Sequence, residues 1–215
     1  ITKEERREQE IMEQRGLHQA SSFISKRIKE LIKNSEPVRI LDINNAHRIL
    51  FEKMGGKDSG IGGKYRKSND IDLKRKDGTF LPYSDWKNTA SDMSILDEEL
   101  KSTTKNLSKP KTKSQYKEVI ELAVKLSHKL ASIHPFENGN GRASRLLLSS
   151  ILLRADLYFL EKNATEKKRE KNRYLNAMRQ ADNGDFSLLK GIISNSLLET
   201  ERRLIKERKR KQAKK

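Results

Sequence analysis

His134-Pro135-Phe136-Glu137-Asn138-Gly139-Asn140-Gly141-Arg142-Ala143-Ser144-Arg145 is the stretch from which the rest of the chain is read. A histidine able to take a proton comes first. A Gly-Asn-Gly turn follows and opens directly into an apolar run, Leu146, Leu147, Leu148 and beyond. Gly139 and Gly141 allow backbone angles that a Cβ resists. Successive N–H groups in such a turn converge as an anion nest, and a helix N-terminus adds its free N–H groups and macrodipole. Arg142 and Arg145, three apart, are neighbours on a helix face and grip phosphate oxygens as forks. Read from the residues, the stretch is a polyphosphate cradle with a general base beside it.

The flanks support that reading. Before the motif, 116–133 carries Val119, Leu122, Ala123, Leu126 and Leu130 as one helical stripe, so the histidine stands at the end of a rigid support. His128 on this helix reads as structural or exposed. After the motif, 145–157 is apolar on most sides and reads as the central buried helix.

The stretch resembles the signature of the Fic domain family, H-x-F-x-(D/E)-G-N-G-R-x-x-R. His134, Phe136, Gly139, Asn140, Gly141, Arg142 and Arg145 match, seven of eight specified positions, and Asn138 stands where the family has an acid. The resemblance extends over about 40–198. It implies a mainly α fold, a helical bundle with one β-hairpin flap. It also implies an enzyme that moves AMP, or another nucleotide monophosphate, from a nucleoside triphosphate to a Ser, Thr or Tyr hydroxyl of a target protein. By position, His134 is then the general base. Asn140 and the backbone of Gly139 and Gly141 hold the phosphates, Arg142 and Arg145 bind the outer phosphates, and Phe136 anchors the loop in the core. ATP is the implied substrate and Mg2+ the implied ion. Asn138 offers the metal a neutral oxygen in place of a carboxylate, which implies weaker binding.

Composition sets the outer bounds. The chain has 215 residues, 33% hydrophobic and 36% charged, enough for one helical core with extensions. Without cysteine there is no disulfide and no thiolate metal site. No apolar run reaches the roughly 20 residues of a membrane span. A cytoplasmic protein fits these facts, with secretion into a host cell left open. Residue 1 is Ile, which is compatible with a longer chain. The net charge is +17, of which +7 lies in 201–215, with nine Lys or Arg against two Glu. Such a tail attracts nucleic acid and other polyanions. The expected division is an N-terminal helical extension at 1–39, the Fic domain at 40–200 and a basic tail at 201–215.

Residues 1–15 read as a solvated helix or a disordered lead-in. An amphipathic helix is expected over 21–33, with Phe23, Ile24, Ile28, Leu31 and Ile32. A second, capped by Asp42 or Asn44, runs to about Met54, with His47 as a core or rim residue. The glycines at 55, 56, 60, 62 and 63 read as a connector, because no helix start follows them. Gly63-Lys64-Tyr65-Arg66 is similar to the segment that precedes the flap in Fic proteins. Asp77-Gly78 is a hairpin signal within 71–81. By resemblance, Leu73, Lys74, Arg75, Lys76, Asp77, Gly78, Thr79 and Phe80 form the flap that aligns the target by strand addition. Trp86 is expected against the core. Further helices are expected over 91–100, over 174–181 with Leu175 and Met178 inward, and from Asp185 through Leu198.

Many Fic proteins are restrained by a helix bearing Ser/Thr-x-x-x-Glu-Gly/Asn, whose Glu pairs with the second motif arginine, here Arg145. No segment matches, so an antitoxin-like inhibitory partner, as in toxin–antitoxin pairs, is one expectation. Alongside the transferase stand two alternatives: a catalytically weak Fic-fold binding module, and a Fic protein of altered chemistry such as phosphate transfer.

Overall fold

The computed structural model describes residues 2–52, 58, 60–69, 83–158 and 168–212, with the side chains of Lys168, Arg169 and Lys171 excepted. Seven helices account for most of them: α1 Lys3–Lys33, α2 Ile40–Phe51, α3 Thr89–Thr104, α4 Lys113–Ile133, α5 Asn140–Arg154, α6 Lys168–Asp182 and α7 Ser187–Gln212. The mainly α expectation is met. The hairpin expected at 71–81 lies outside the described residues, as do Gly55 and Gly56.

α5 is the centre. Leu147, Ile151 and Leu152 are fully buried, and Leu146 and Leu148 nearly so, because the helix is apolar on most sides and neighbours surround it. α4 packs along it with Ala123, Val124, Leu126 and Leu130. α4 starts at a capping box: Thr112 Oγ1 accepts the Gln115 N–H and Gln115 Oε1 accepts the Thr112 N–H.

α1 covers the other side, contributing Ala20, Ile24, Ile28 and Leu31 to the same core. The charged lead-in is helical from Lys3, capped reciprocally by Thr2 and Glu5. α1 crosses α2 at Gly16, where a Cβ would stand 2.6 Å from the Leu50 carbonyl oxygen. Only a glycine lets the two backbones approach so closely.

Several helix ends differ from expectation, each for a tertiary reason. α2 starts at Ile40, two residues before the expected cap. Asp42 accepts the Arg39 N–H at 3.2 Å, and Asp97 of α3 accepts the Ile40 N–H at 2.8 Å. α3 runs on to Thr104, whose hydroxyl is buried and accepts the Val38 N–H. α6 turns Ala177 and Ala181 inward, with Tyr174 and Met178 beside them, and leaves Leu175 exposed, one step off that face. α7 buries Leu189, Ile193, Leu197 and Thr200 and exposes Leu198. It continues as a solvated helix to Gln212. Trp86 is half-buried in a 3-10 turn, Trp86–Asn88, rather than in the core.

Arg154 closes the far end of α5. Its guanidinium donates to the carbonyls of Glu36, Lys105 and Leu107. His128 and Asp182 join α4 to α6 at 3.0 Å, with Phe186 edge-on to the imidazole. No helix among the described residues is long and apolar enough to cross a membrane.

Candidate active site

The site forms where α4 ends and α5 begins. His134 is the last cap of α4, in the left-handed region at φ 53°, with its N–H on the Leu130 carbonyl. That turn folds the imidazole back so that Nδ1 lies 3.3 Å from the Ala131 carbonyl oxygen. A carbonyl only accepts, so Nδ1 carries the proton and Nε2 keeps its lone pair. The Tyr83 ring packs against the imidazole, tilted by 35° with centroids 4.1 Å apart. Burial pushes the His134 pKa down to about 4, and the nearby Arg66 charge adds to this against the Ala131 hydrogen bond. The ring is therefore neutral at pH 7.

The loop after it is braced from inside. Phe136 is fully buried, as the anchor role requires. Asn140 is 3% exposed and turned inward: Oδ1 accepts the Phe136 N–H at 2.9 Å and Nδ2 donates to the Phe136 carbonyl at 2.7 Å. Its side chain is thus engaged within the loop, and what it presents outward is backbone. His47 of α2 packs flat on Phe136. Its Nδ1 accepts the Gly63 N–H at 2.9 Å, so its Nε2–H donates to the Asn138 carbonyl at 2.9 Å. Burial holds this imidazole near pKa 4 as well. The expected core histidine is a brace for the motif.

Gly139 caps α5 at φ 79°, and a Cβ there would meet Phe51 at 2.7 Å. The first-turn N–H groups of α5 have no intrahelical acceptor and face out of its end. Arg142 leans over the Phe51 ring at 4.9 Å, and its Nη1 is buried without a hydrogen bond. Burial lowers its pKa. Arg145 Nη1 lies over the same turn, 3.5 Å from where a Cβ on Gly141 would be. Both expected arginines thus meet at the open end of the helix, which favours an anion.

Two carboxylates reach this place from elsewhere, and neither was foreseen. Asp58, buried, accepts from Asn138 Nδ2 at 3.2 Å, while Asn138 Oδ1 accepts the Gly139 N–H at 2.7 Å. Glu13 of α1 lies 3.9 Å from Arg142 Nη1. Asp58 sits in a stretch that reads as connector. Glu13 carries no signal beyond its helical phase. Among the described residues no three His, Asp or Glu cluster as a metal site. The expected flap residues, 73–80, lie outside the described residues.

The family model described as Fic/DOC family matches residues 37–152. Among curated proteins, "Protein adenylyltransferase Fic" of Nematostella vectensis is 27% identical over 181 residues, covering 80% of this chain and 34% of that protein. The chain thus spans about a third of that relative's length. Among solved structures, a Fic domain containing signaling protein of Bacteroides thetaiotaomicron is similar with a TM-score of 0.63 and 24% identity, covering 85% of this chain and 68% of that one. The BepC protein of Bartonella tribocorum, solved with bound AMPPNP, is similar with a TM-score of 0.53 and 18% identity, covering 85% and 86%.

Proposed function

Because the chain belongs to the Fic/DOC family, we propose that it transfers the AMP part of ATP to a hydroxyl group of a target protein. The observation that carries this reading is a neutral His134, with Nε2 left to accept a proton, in one loop with the open N-terminus of α5. The hydroxyl proton passes to Nε2 as the hydroxyl oxygen bonds to the α-phosphorus. The bond from that phosphorus to the bridging oxygen breaks, and pyrophosphate leaves. The α5 N–H groups, Arg142 and Arg145 offset the phosphate charge. Phe136, Asn140 and His47 keep the loop rigid, so that little reorganisation accompanies the step. The bound AMPPNP of the Bartonella protein supports a nucleotide in a fold of this kind.

Mg2+ fits the residues present. Asn138 Oδ1 is uncharged and already takes one N–H. Asp58 adds the hard anionic oxygen that Mg2+ prefers, beside the same amide. Asn138 turns its Nδ2 to Asp58 and its Oδ1 to the Gly139 N–H, so Asp58 is the residue that would hold the ion, together with nucleotide phosphates, and the ion would neutralise phosphate charge. The solvated basic end of α7 is the proposed contact for nucleic acid.

The test is incubation with α-labelled and γ-labelled ATP, and the other labelled triphosphates, with Mg2+ or Mn2+. α-Label on protein supports nucleotidyl transfer. γ-Label on protein means phosphate transfer, and no label with any triphosphate means a binding module.

A further inference from the structure

Arg66 is 4% exposed and directs all five guanidinium N–H donors at neutral acceptors. Nε donates to the His134 carbonyl at 2.7 Å. Nη2 donates to the carbonyls of Ser84 and, at 3.5 Å, Ile133. Nη1 donates to the Ser68 carbonyl at 3.0 Å and to Asn69 Oδ1 at 2.9 Å. Its backbone N–H donates to the Pro135 carbonyl at 2.8 Å, beside a bridge between Tyr65 and Phe136. Three consecutive carbonyls, Ile133, His134 and Pro135, are thus held by one residue.

His134 needs such a hold. A non-glycine residue at φ 53° is strained, and such a conformation persists only where its surroundings over-determine it. The strained turn is also what lays the imidazole against the Ala131 carbonyl and leaves Nε2 to accept. Ser84, held by the same fork, directly follows Tyr83, whose ring covers His134. A guanidinium is needed for this work: lysine has three donors on a point charge and cannot span five acceptors in one plane.

We propose that Arg66 is a positioning residue for His134, fixing the backbone turn that aims the imidazole and, through Ser84, the Tyr83 ring packed on it. The proposal rests on the reading of His134 as proton acceptor.

The test compares the full chain with Arg66→Lys and Asn69→Ala. Four readouts are taken: melting temperature, affinity for a fluorescent ATP analogue, transfer from α-labelled ATP at saturating nucleotide, and the ¹⁵N spectrum of the labelled histidines. The His134 signal is assigned by its loss in His134→Ala. In Arg66→Lys the His134 signal should leave the Nδ1–H pattern while those of His47 and His128 stay. Transfer should fall about 10-fold or more, as expected for a misplaced base. Nucleotide affinity should stay within about 3-fold, since Arg66 lies outside the phosphate cradle. Asn69→Ala removes one acceptor at an exposed position and should move the same signals less. An unmoved His134 signal with wild-type transfer in Arg66→Lys overturns the proposal. If that variant does not fold, an unmoved signal in Asn69→Ala overturns it. If the wild type itself transfers no label, the transferase reading fails, and the histidine spectra alone decide on the clamp.

Discussion

The imidazole of His47 lies on the ring of Phe136 with centroids 3.7 Å apart and planes 9° from parallel. Its two nitrogens hold the backbone of Gly63 and Asn138, so one buried side chain ties α2, the glycine-rich stretch and the motif loop together. Protonation would put a donor where Nδ1 now accepts, breaking the Gly63 bond.

The first prediction concerns acid. The His47 ring titrates near 6.5 in the unfolded chain and near 4 in the folded one. Between those values the unfolded state binds a proton that the folded state refuses, so stability falls as pH drops through the window. The shift corresponds to roughly 3 kcal/mol. Urea unfolding at pH 7.5 and pH 4.5 should show the loss, and His47→Gln should reduce it. A pH-independent midpoint would count against this account of His47.

His134→Ala should lower transfer about 10²–10⁴-fold with a melting temperature near wild type. In the wild type, kcat/KM should stay level on the acid side down to about pH 5, because burial holds the His134 pKa near 4. An acid limb at 6.5 would show an ordinary solvated histidine instead.

Asn138→Asp restores the family's acid at nearly constant volume, but Asp58 already occupies the neighbourhood. Two carboxylates about 4 Å apart repel by about 1 kcal/mol in bulk water and about 4 kcal/mol near a protein surface, and buried Asp58 lies toward the larger value. Melting with EDTA should therefore be lower than wild type, and Mg2+ should raise it more steeply. Asp58→Asn should raise the Mn2+ concentration needed for binding. If Asp58→Asn leaves Mn2+ titrations unchanged, Asp58 is no ligand.

Glu13 competes with any anion for Arg142. Glu13→Ala should tighten ATP binding by about 2- to 5-fold, the range of a part-exposed ion pair. The effect should shrink at high salt. Equal affinities at low salt would remove Glu13 from the account.

Replacing Arg202, Lys206 and Lys209 by Gln should weaken binding to single-stranded DNA and flatten its salt dependence. Transfer should be unchanged, since this solvated end of α7 carries none of the motif. Equal DNA affinity would leave the basic helix without the proposed partner.

What was legible in the sequence was what is contiguous. The motif carries its own helix end, turn and helix start within twelve residues, so the end of α4 at His134, the turn at Gly139 and the start of α5 beneath the two arginines are legible in it. Asp58 and Glu13 were hidden because a single carboxylate distant in the chain has no local pattern. Asp58 meets Asn138 across 80 residues. The start of α2 escapes the local pattern for the same reason: Asp97, 57 residues on, accepts its first N–H. The exposure of Leu175, expected inward, has another cause. It lies on a helix that buries small residues, Ala177 and Ala181, which a search for large apolar residues passes over. Asn140 reads as a phosphate ligand by position, yet its side chain satisfies the Phe136 backbone instead.

Arg154 bears on how quickly the molecule comes apart. Its three carbonyl partners stand 118, 47 and 49 residues away in the chain, at the α1–α2 and α3–α4 connections. Such distant closures cost most entropy and form after the helices they join. A bond absent from the folding transition state governs the unfolding rate and hardly touches the folding rate. Arg154 is therefore a latch on lifetime: Arg154→Lys should shorten the native half-life while refolding proceeds at its old speed.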